Sequence, residues 1–271
     1  MRINLTGVGH LTIPGAVFGH EGGPGSTDFA NRPIRWTENE DGWQNIPSCW
    51  PWPQEPWRQN DIKLPDGWRH NGPFICQTNP LPFVYDENYN TKWGTNDLMA
   101  GLRLGWLASH LGRDEMQRLT VVDVGCGNGV FVKCARNKFK RVAGYNVCGE
   151  SISRDELVSE HWGLVVLTDV LEHMPDIRAL FAIHWEYAMI SIPETPRVRS
   201  FDELMRWRHF KPNEHIWLLD WKGLTCWALN MEPGVCPIAV SDFEDLIRTR
   251  WDSQTTNIST LLVRRTLRNR A

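Results

Sequence analysis

The sequence predicts an α/β protein built on a mostly parallel sheet and preceded by an irregular extension. From Tyr85 onward, strand-like and helical runs alternate, as they do when strands are joined by crossover helices. A short β-branched run, "LTVVDV", breaks into a glycine turn and passes directly into a helical pattern. Residues 1–84 differ in texture, being rich in Gly, Pro and Trp with no sustained helical period. The expected division is an extension over 1–84 and an α/β domain over 85–271.

The extension carries Trp36, Trp43, Trp50, Trp52, Trp57 and Trp68, three of them packed among prolines in "SCWPWPQEPWRQ". Proline fixes φ and removes a backbone donor, so loops and short strands are expected there rather than a helix or a central strand. Disordered chain is usually poor in aromatics. These rings should therefore order the segment by docking, either on the α/β domain, on a protein partner or second copy, or on a ring-bearing ligand.

The α/β part opens with "TNDLMAGLRLGWLASHL". Thr95 is the expected N-cap, Asp97 falls in the first turn, and the rows Leu98, Leu102, Trp106 and Met99, Leu107, Leu111 have helical spacing. After the strand "LTVVDV" comes the helix "VFVKCARNKF", with Val130, Phe131 and Cys134 on one face, and then the strand "RVAGYNV". "GESISRDELVSE" has room for one short helix or strand. The pattern continues with a strand "GLVVLTDV", a helix around "DIRALFAIHW", a strand "YAMISI" and a helix "WKGLTCWALNM", and ends in strands at "PIAV" and "ISTLLVRR".

Composition narrows the partners. At 271 residues, with 41% hydrophobic and 23% charged side chains, the chain should fold around a packed core. A formal net charge of −3 supplies no field to hold a polyanion, so a nucleic-acid partner is not expected. The C-terminal Arg264, Arg265, Arg268 and Arg270 read as a solvated tail. The cysteines, seven in all, are odd in number and scattered, which is not a disulfide framework. Cys126 and Cys134 fall inside what should be a buried unit, as thiols do in a reducing compartment. With no long apolar run and no charged-then-apolar leader, no membrane is expected, and the chain is placed in the cytoplasm, or the host cytoplasm for a viral chain. Cys49, His70 and Cys76 lack the paired short spacings of a zinc module, so no metal is expected.

"VVDVGCGNGVF", Val121 to Phe131, places Gly125, Gly127 and Gly129 at alternate positions between a strand and a helix. Such a turn lets the main chain approach a ligand closely. A dinucleotide fingerprint would need a glycine where Val130 stands, and no Gly-Lys-Ser/Thr follows, so pyrophosphate and P-loop chemistry are disfavoured. What remains suits a nucleoside without a diphosphate, with Asp123 accepting from a cationic amine.

"VVDVGCGNG" and "LTDVLEHMPD" resemble two motifs of the class I S-adenosylmethionine-dependent methyltransferases, the second being the segment after that family's fourth strand. "WRHFKPNEHIW" is similar to a substrate-side insertion in methyltransferases related to ubiquinone biosynthesis, and "SDFEDLIR" to the stretch after their sixth strand. The resemblance covers about Tyr85 to Arg265. It implies a Rossmann-like doubly wound sheet with a late antiparallel strand, and S-adenosyl-L-methionine as cofactor. It further implies cofactor contacts from Asp123, Gly125, Cys126, Gly127, Gly129 and Asp169, and from the aromatic segment Tyr85, Tyr89 and Trp93. The position of the family's ribose-binding acid, 23 residues after Asp123, is Asn146, a weaker neutral partner.

Only 16 residues separate Asn146 from Gly163, too few for a helix, a third strand and the loop that floors the adenine, so the third-strand region is expected to be shortened. Asp155 or Glu156 would then lie near the adenine amino group. Under the enzyme reading, methyl transfer goes to a small-molecule, glycan or nucleoside-type acceptor, with His215, His209 or His173 as candidate bases and Glu172 and Asp176 orienting loop or substrate. The alternative is a catalytically reduced scaffold whose tryptophan-rich extension binds partners.

Overall fold

The computed structural model describes residues 2–4, 10–12, 62–85, 95–147, 152–231, 234–245 and 258–265. Two short strands, β1 (Arg2–Asn4) and β2 (His10–Thr12), pair antiparallel. A hairpin of β3 (Trp68–Asn71) and β4 (Phe74–Gln77) follows. The remaining strands are β5 (Thr120–Val124), β6 (Arg141–Tyr145), β7 (His161–Thr168), β8 (His184–Pro193), β9 (Trp217–Leu218), β10 (Val235–Ser241) and β11 (Ile258–Arg265). The helices are α1 (Asp97–Leu111), α2 (Arg113–Arg118), α3 (Val130–Ala135), α4 (Arg154–Ser159), α5 (Phe201–Met205) and α6 (Trp221–Met231).

The main sheet has the order β10-β11-β8-β7-β5-β6. β6, β5, β7 and β8 run parallel, while β11 is antiparallel to both β8 and β10. This is a Rossmann-like α/β sheet with a late antiparallel strand. β7 and β8 are buried on both faces, so they read as continuous apolar runs rather than alternating ones. Val165 and Leu167 face one core cluster with Ala188 and Ile190, and Leu164 and Val166 face the other with Met189 and Leu262.

Among the described residues β6 is the sheet's edge, and α4 is the one element of the shortened segment beyond it. Ser153 caps α4 by accepting from the Glu156 amide, and Ile152 N–H donates to the Gly144 carbonyl at 3.0 Å. At the amino ends of the strands, two indoles sit in register. Trp162 donates Nε1–H to the Leu157 carbonyl and Trp185 to the Leu180 carbonyl, at 3.0 and 2.9 Å, each closing the segment that enters its strand.

Local expectations need four corrections. The N-cap of α1 is Asn96, whose side chain accepts from the Met99 amide at 2.9 Å, because Thr95 is drawn off to accept from Arg103 instead. "DIRALFAIHW" forms a 3-10 segment, Ile177–Ala182, capped by Asp176. Cys126 and Cys134 are only partly buried. Arg264 and Arg265 belong to β11, lying over the rings of Tyr187 and Trp185, and are not tail residues.

Residues 62–85 dock on the α/β core. β4 pairs with β9, Phe74 enters the main core cluster, and Trp68 stacks near Phe210 and Phe201 at centroid distances of 5.2 and 5.7 Å. Trp36, Trp43, Trp50, Trp52 and Trp57 lie outside the described residues.

Candidate functional site

β5 adjoins β6 on one side and β7 on the other, so the chain reverses its direction of travel across the sheet at β5's carboxyl end. Open α/β sheets bind ligands at such a point. The glycine turn stands there. Gly125, Gly127 and Gly129 have φ of 73°, 52° and 70°, values that residues with a Cβ rarely adopt. The first two amides after β5, on Gly125 and Cys126, donate to the Tyr145 carbonyl at 2.7 and 3.1 Å, tying the turn to the end of β6.

A Cβ on Gly125 would stand 2.4 Å from Val170 Cγ2, so the turn and the segment after β7 are packed backbone against side chain. At Gly129 an added Cβ would meet nothing within 4 Å, so that stretch of main chain borders open space. Asp123 is buried at the strand end, and burial pushes its carboxyl up to about 7 against the opposing pull of the Arg103 guanidinium. Asn146, at the end of β6, accepts from the Val147 amide through its own side-chain oxygen. Asp169 begins the loop after β7 with φ of 55°, and its amide donates to the Ser191 carbonyl.

Directly after Val170 comes a second group of side chains. Leu171–His173 forms a single 3-10 turn that buries Leu171 and Glu172. His215 comes from the segment entering β9, and the Ile216 amide donates to the Glu172 carbonyl at 2.9 Å, which locks the two segments together. The His173 and His215 rings meet edge to face with centroids 4.6 Å apart, and His209 stacks on His215 at 6.1 Å.

His173 Nδ1 lies 2.8 Å from the Glu214 carbonyl and 3.0 Å from the Tyr85 hydroxyl. A carbonyl accepts only, so Nδ1 carries the proton and Nε2 keeps its lone pair. Burial, followed by the charges of His173 (when protonated), Lys211 and His209, pushes His215 down to about 2, and burial also lowers His173. Both rings are neutral at physiological pH.

The structure thus places Asp123, Gly125, Cys126, Gly127, Gly129, Asn146 and Asp169 around the carboxyl ends of β5, β6 and β7, and gathers Glu172, His173 and His215 into one buried cluster. Tyr85 joins that histidine group. Tyr89 and Trp93 lie outside the described residues. Glu156 pairs with Arg141 at the amino end of β6, directed away from the glycine turn. Asp176 caps its 3-10 segment and pairs with Arg178 on the surface.

Sequence reasoning passed over Arg103. This residue is 2% exposed and reaches Glu244 with two hydrogen bonds, Thr95 with a third, and Asp169 at 3.9 Å. The signal was present, because Arg103 interrupts the apolar row from Met99 to Leu107 at helical spacing.

Residues 102–230 match a family described as a methyltransferase domain. That match spans the switch-point glycine turn and most of the parallel part of the sheet, so this segment resembles a methyltransferase domain on a Rossmann-like fold. Similar solved structures include a SAM dependent methyltransferase from Archaeoglobus fulgidus, at 14% identity over 66% of this chain and 98% of that one, with a TM-score of 0.43. A putative sarcosine dimethylglycine methyltransferase from Galdieria sulphuraria is similar at 13% identity, over 62% of this chain and 88% of its own, with a TM-score of 0.44. Magnesium protoporphyrin IX methyltransferase from Synechocystis PCC 6803, with bound SAH, is similar at 13% identity, covering 62% and 83%, with a TM-score of 0.40. No curated protein sequence matches the chain. Among the described residues no helix is long and apolar enough to cross a membrane.

Proposed function

We propose that this chain transfers the sulfonium methyl group of S-adenosylmethionine to a small-molecule acceptor approaching from the histidine side of the site. The observation that carries the reading is the bare turn at the switch point, with three left-handed glycines, beside a buried acid whose ionisation burial holds back. The cofactor supplies a methyl carbon activated by positive sulfur: the acceptor lone pair bonds it in line as the C–S bond breaks, S-adenosylhomocysteine leaves, and the acceptor proton passes to solvent.

The protein's part is mainly positional. The main chain from Gly125 to Gly129, including Cys126, lines the nucleoside and methionine, Asp123 attracts the methionine amine, Asn146 bonds a ribose hydroxyl, and Asp169 lies at the methionine end. Holding donor and acceptor in near-attack geometry can supply about 7–11 kcal/mol of the barrier. Tyr85, Glu172, His173 and His215 form a polar, enclosed wall suited to an acceptor bearing oxygen or nitrogen. A glycan or a nucleoside fits this description as well as a smaller metabolite does.

Titration calorimetry with S-adenosylmethionine and S-adenosylhomocysteine tests the reading. One-to-one binding in the micromolar range is expected. A folded chain that takes up neither ligand at millimolar concentration would leave the scaffold alternative standing in its place.

A further inference from the structure

We propose that Glu172, His173 and His215 bind a divalent transition-metal ion at the acceptor side of the site. One ligand atom from each residue lies within 4.8 Å of the other two. With metal–ligand bonds of about 2.0–2.2 Å, neighbouring donors around an ion stand roughly 3–3.5 Å apart. The set therefore closes on an ion by small rotations of two rings and a carboxylate. His173 Nε2 is already 3.7 Å from Glu172 Oε1.

Three features indicate a ligand set rather than an accidental cluster. His173 donates its Nδ1–H to the Glu214 carbonyl, which fixes the ring so that Nε2 presents a lone pair; metal-bound histidines are oriented by this kind of outer hydrogen bond. His215 has a side chain only 7% exposed, yet its Nδ1 is buried with no hydrogen-bond partner, a cost that a metal bond to the ring or a bound ligand would offset. The two segments are also stapled to each other, by Ile216 N–H to the Glu172 carbonyl and by Trp217 Nε1–H to the Met174 carbonyl at 2.7 Å, so the donors sit on a rigid frame.

Two imidazoles and one carboxylate favour zinc, cobalt, iron or manganese over magnesium or calcium. Three protein ligands leave coordination positions open, as in catalytic rather than structural sites. Both rings feel the charge of Asp169, in the loop after β7. An acceptor oxygen bound at an open coordination position would lose its proton more readily. This role rests on the methyl-transfer reading; the metal binding does not.

The test uses tag-free full-length chain, stripped with chelator and titrated with Co2+, followed by displacement with Zn2+ and metal analysis. The expected result is one Co2+ per chain, with the visible absorption of an imidazole–carboxylate site that Zn2+ abolishes. His215→Gln and Glu172→Gln should each weaken Co2+ binding at least tenfold while circular dichroism stays that of the parent. His184→Ala, on an exposed ring at the start of β8, should bind as the parent does. Absence of a stoichiometric Co2+ spectrum, or binding unchanged in folded His215→Gln, overturns the proposal. Running the titration with and without S-adenosylmethionine separates the two readings, since metal uptake without cofactor uptake sinks only the methyl-transfer assignment, and the converse sinks only the metal site.

Discussion

Arg103, in the middle of α1, is clamped by both carboxylate oxygens of Glu244, from beyond β10, at 2.8 and 2.9 Å. Neither side chain reaches solvent, with exposures of 2% and 0%. Ser191 of β8 donates to the same carboxylate at 2.7 Å and lies 2.6 Å from Thr260 of β11, so one buried network joins α1 to the antiparallel end of the sheet. Because Arg103 also approaches Asp169, the network braces the loop that borders the cofactor turn.

Breaking this pair from one side leaves a buried charge uncompensated. Arg103→Met or Glu244→Gln should each cost about 3–5 kcal/mol in urea unfolding, whereas Arg103→Met combined with Glu244→Leu should recover much of the loss. Equal destabilisation by the single and double changes would refute the pairing as the source of the effect.

The glycine turn makes a steric prediction. Gly125→Ala adds a Cβ 2.4 Å from Val170 Cγ2 at a φ of 73°, and the β-branched valine has little freedom to yield. Affinity for S-adenosylmethionine should fall at least tenfold. Adding Val170→Ala should restore only part of it, because removing the clash leaves the backbone strain of roughly 1–2 kcal/mol in place. Full restoration in calorimetry would show that φ is not a constraint.

Asp123 predicts a pH dependence. Its folded-state carboxyl, raised to about 7, stands above the unfolded value, so its contribution to stability is complete below about 4 and is lost as pH rises through 7. Thermal melts of the ligand-free protein should therefore show the parent losing ground to Asp123→Asn between pH 5 and pH 8. A cationic ligand favours the ionised form, so S-adenosylmethionine should bind more tightly over the same rise in pH, and this slope should vanish in Asp123→Asn. A parent whose affinity is flat from pH 5.5 to 8 would contradict the assignment.

The two indoles at the far end of the sheet supply a control. Trp162→Phe and Trp185→Phe each delete a buried N–H donor and leave the Leu157 or Leu180 carbonyl short of a partner. Each should cost about 1–3 kcal/mol. The dissociation constant for S-adenosylmethionine should not change, since both rings sit at the amino ends of the strands, away from the glycine turn.

Strand positions were legible because β7 and β8 announce themselves as apolar runs and "VVDVGCGNG" joins a strand to a helix through residues that tolerate positive φ. The N-cap of α1 was misplaced by one residue because Thr95 and Asn96 are both good caps, and the choice between them was made by Arg103, a partner remote in local logic though near in space. The 3-10 segment Ile177–Ala182 escaped for a related reason: its apolar spacing suits a helix, but it has only a short path in which to deliver Leu180 to Trp185. The histidines were visible one by one. Their neutrality was not, since it comes from burial and from one another.

Without coordinates, the chain declared its sheet, its glycine turn and the contraction after β6, which follow from near-neighbour chemistry: β-branching, apolar periodicity, glycine's freedom in φ, and a count of residues too few for a third strand; the cofactor class came from the resemblance of two motifs to a known family. The tertiary structure alone decided that Glu172 and His173 meet His215, that Arg103 meets Glu244, and that the hairpin of residues 68–77 completes a small sheet with β9. Those outcomes depend on burial and on contacts between segments dozens of residues apart. Desolvation and charge coupling, which set the ionisation of Asp123 and His215, come into being only when such segments are packed together.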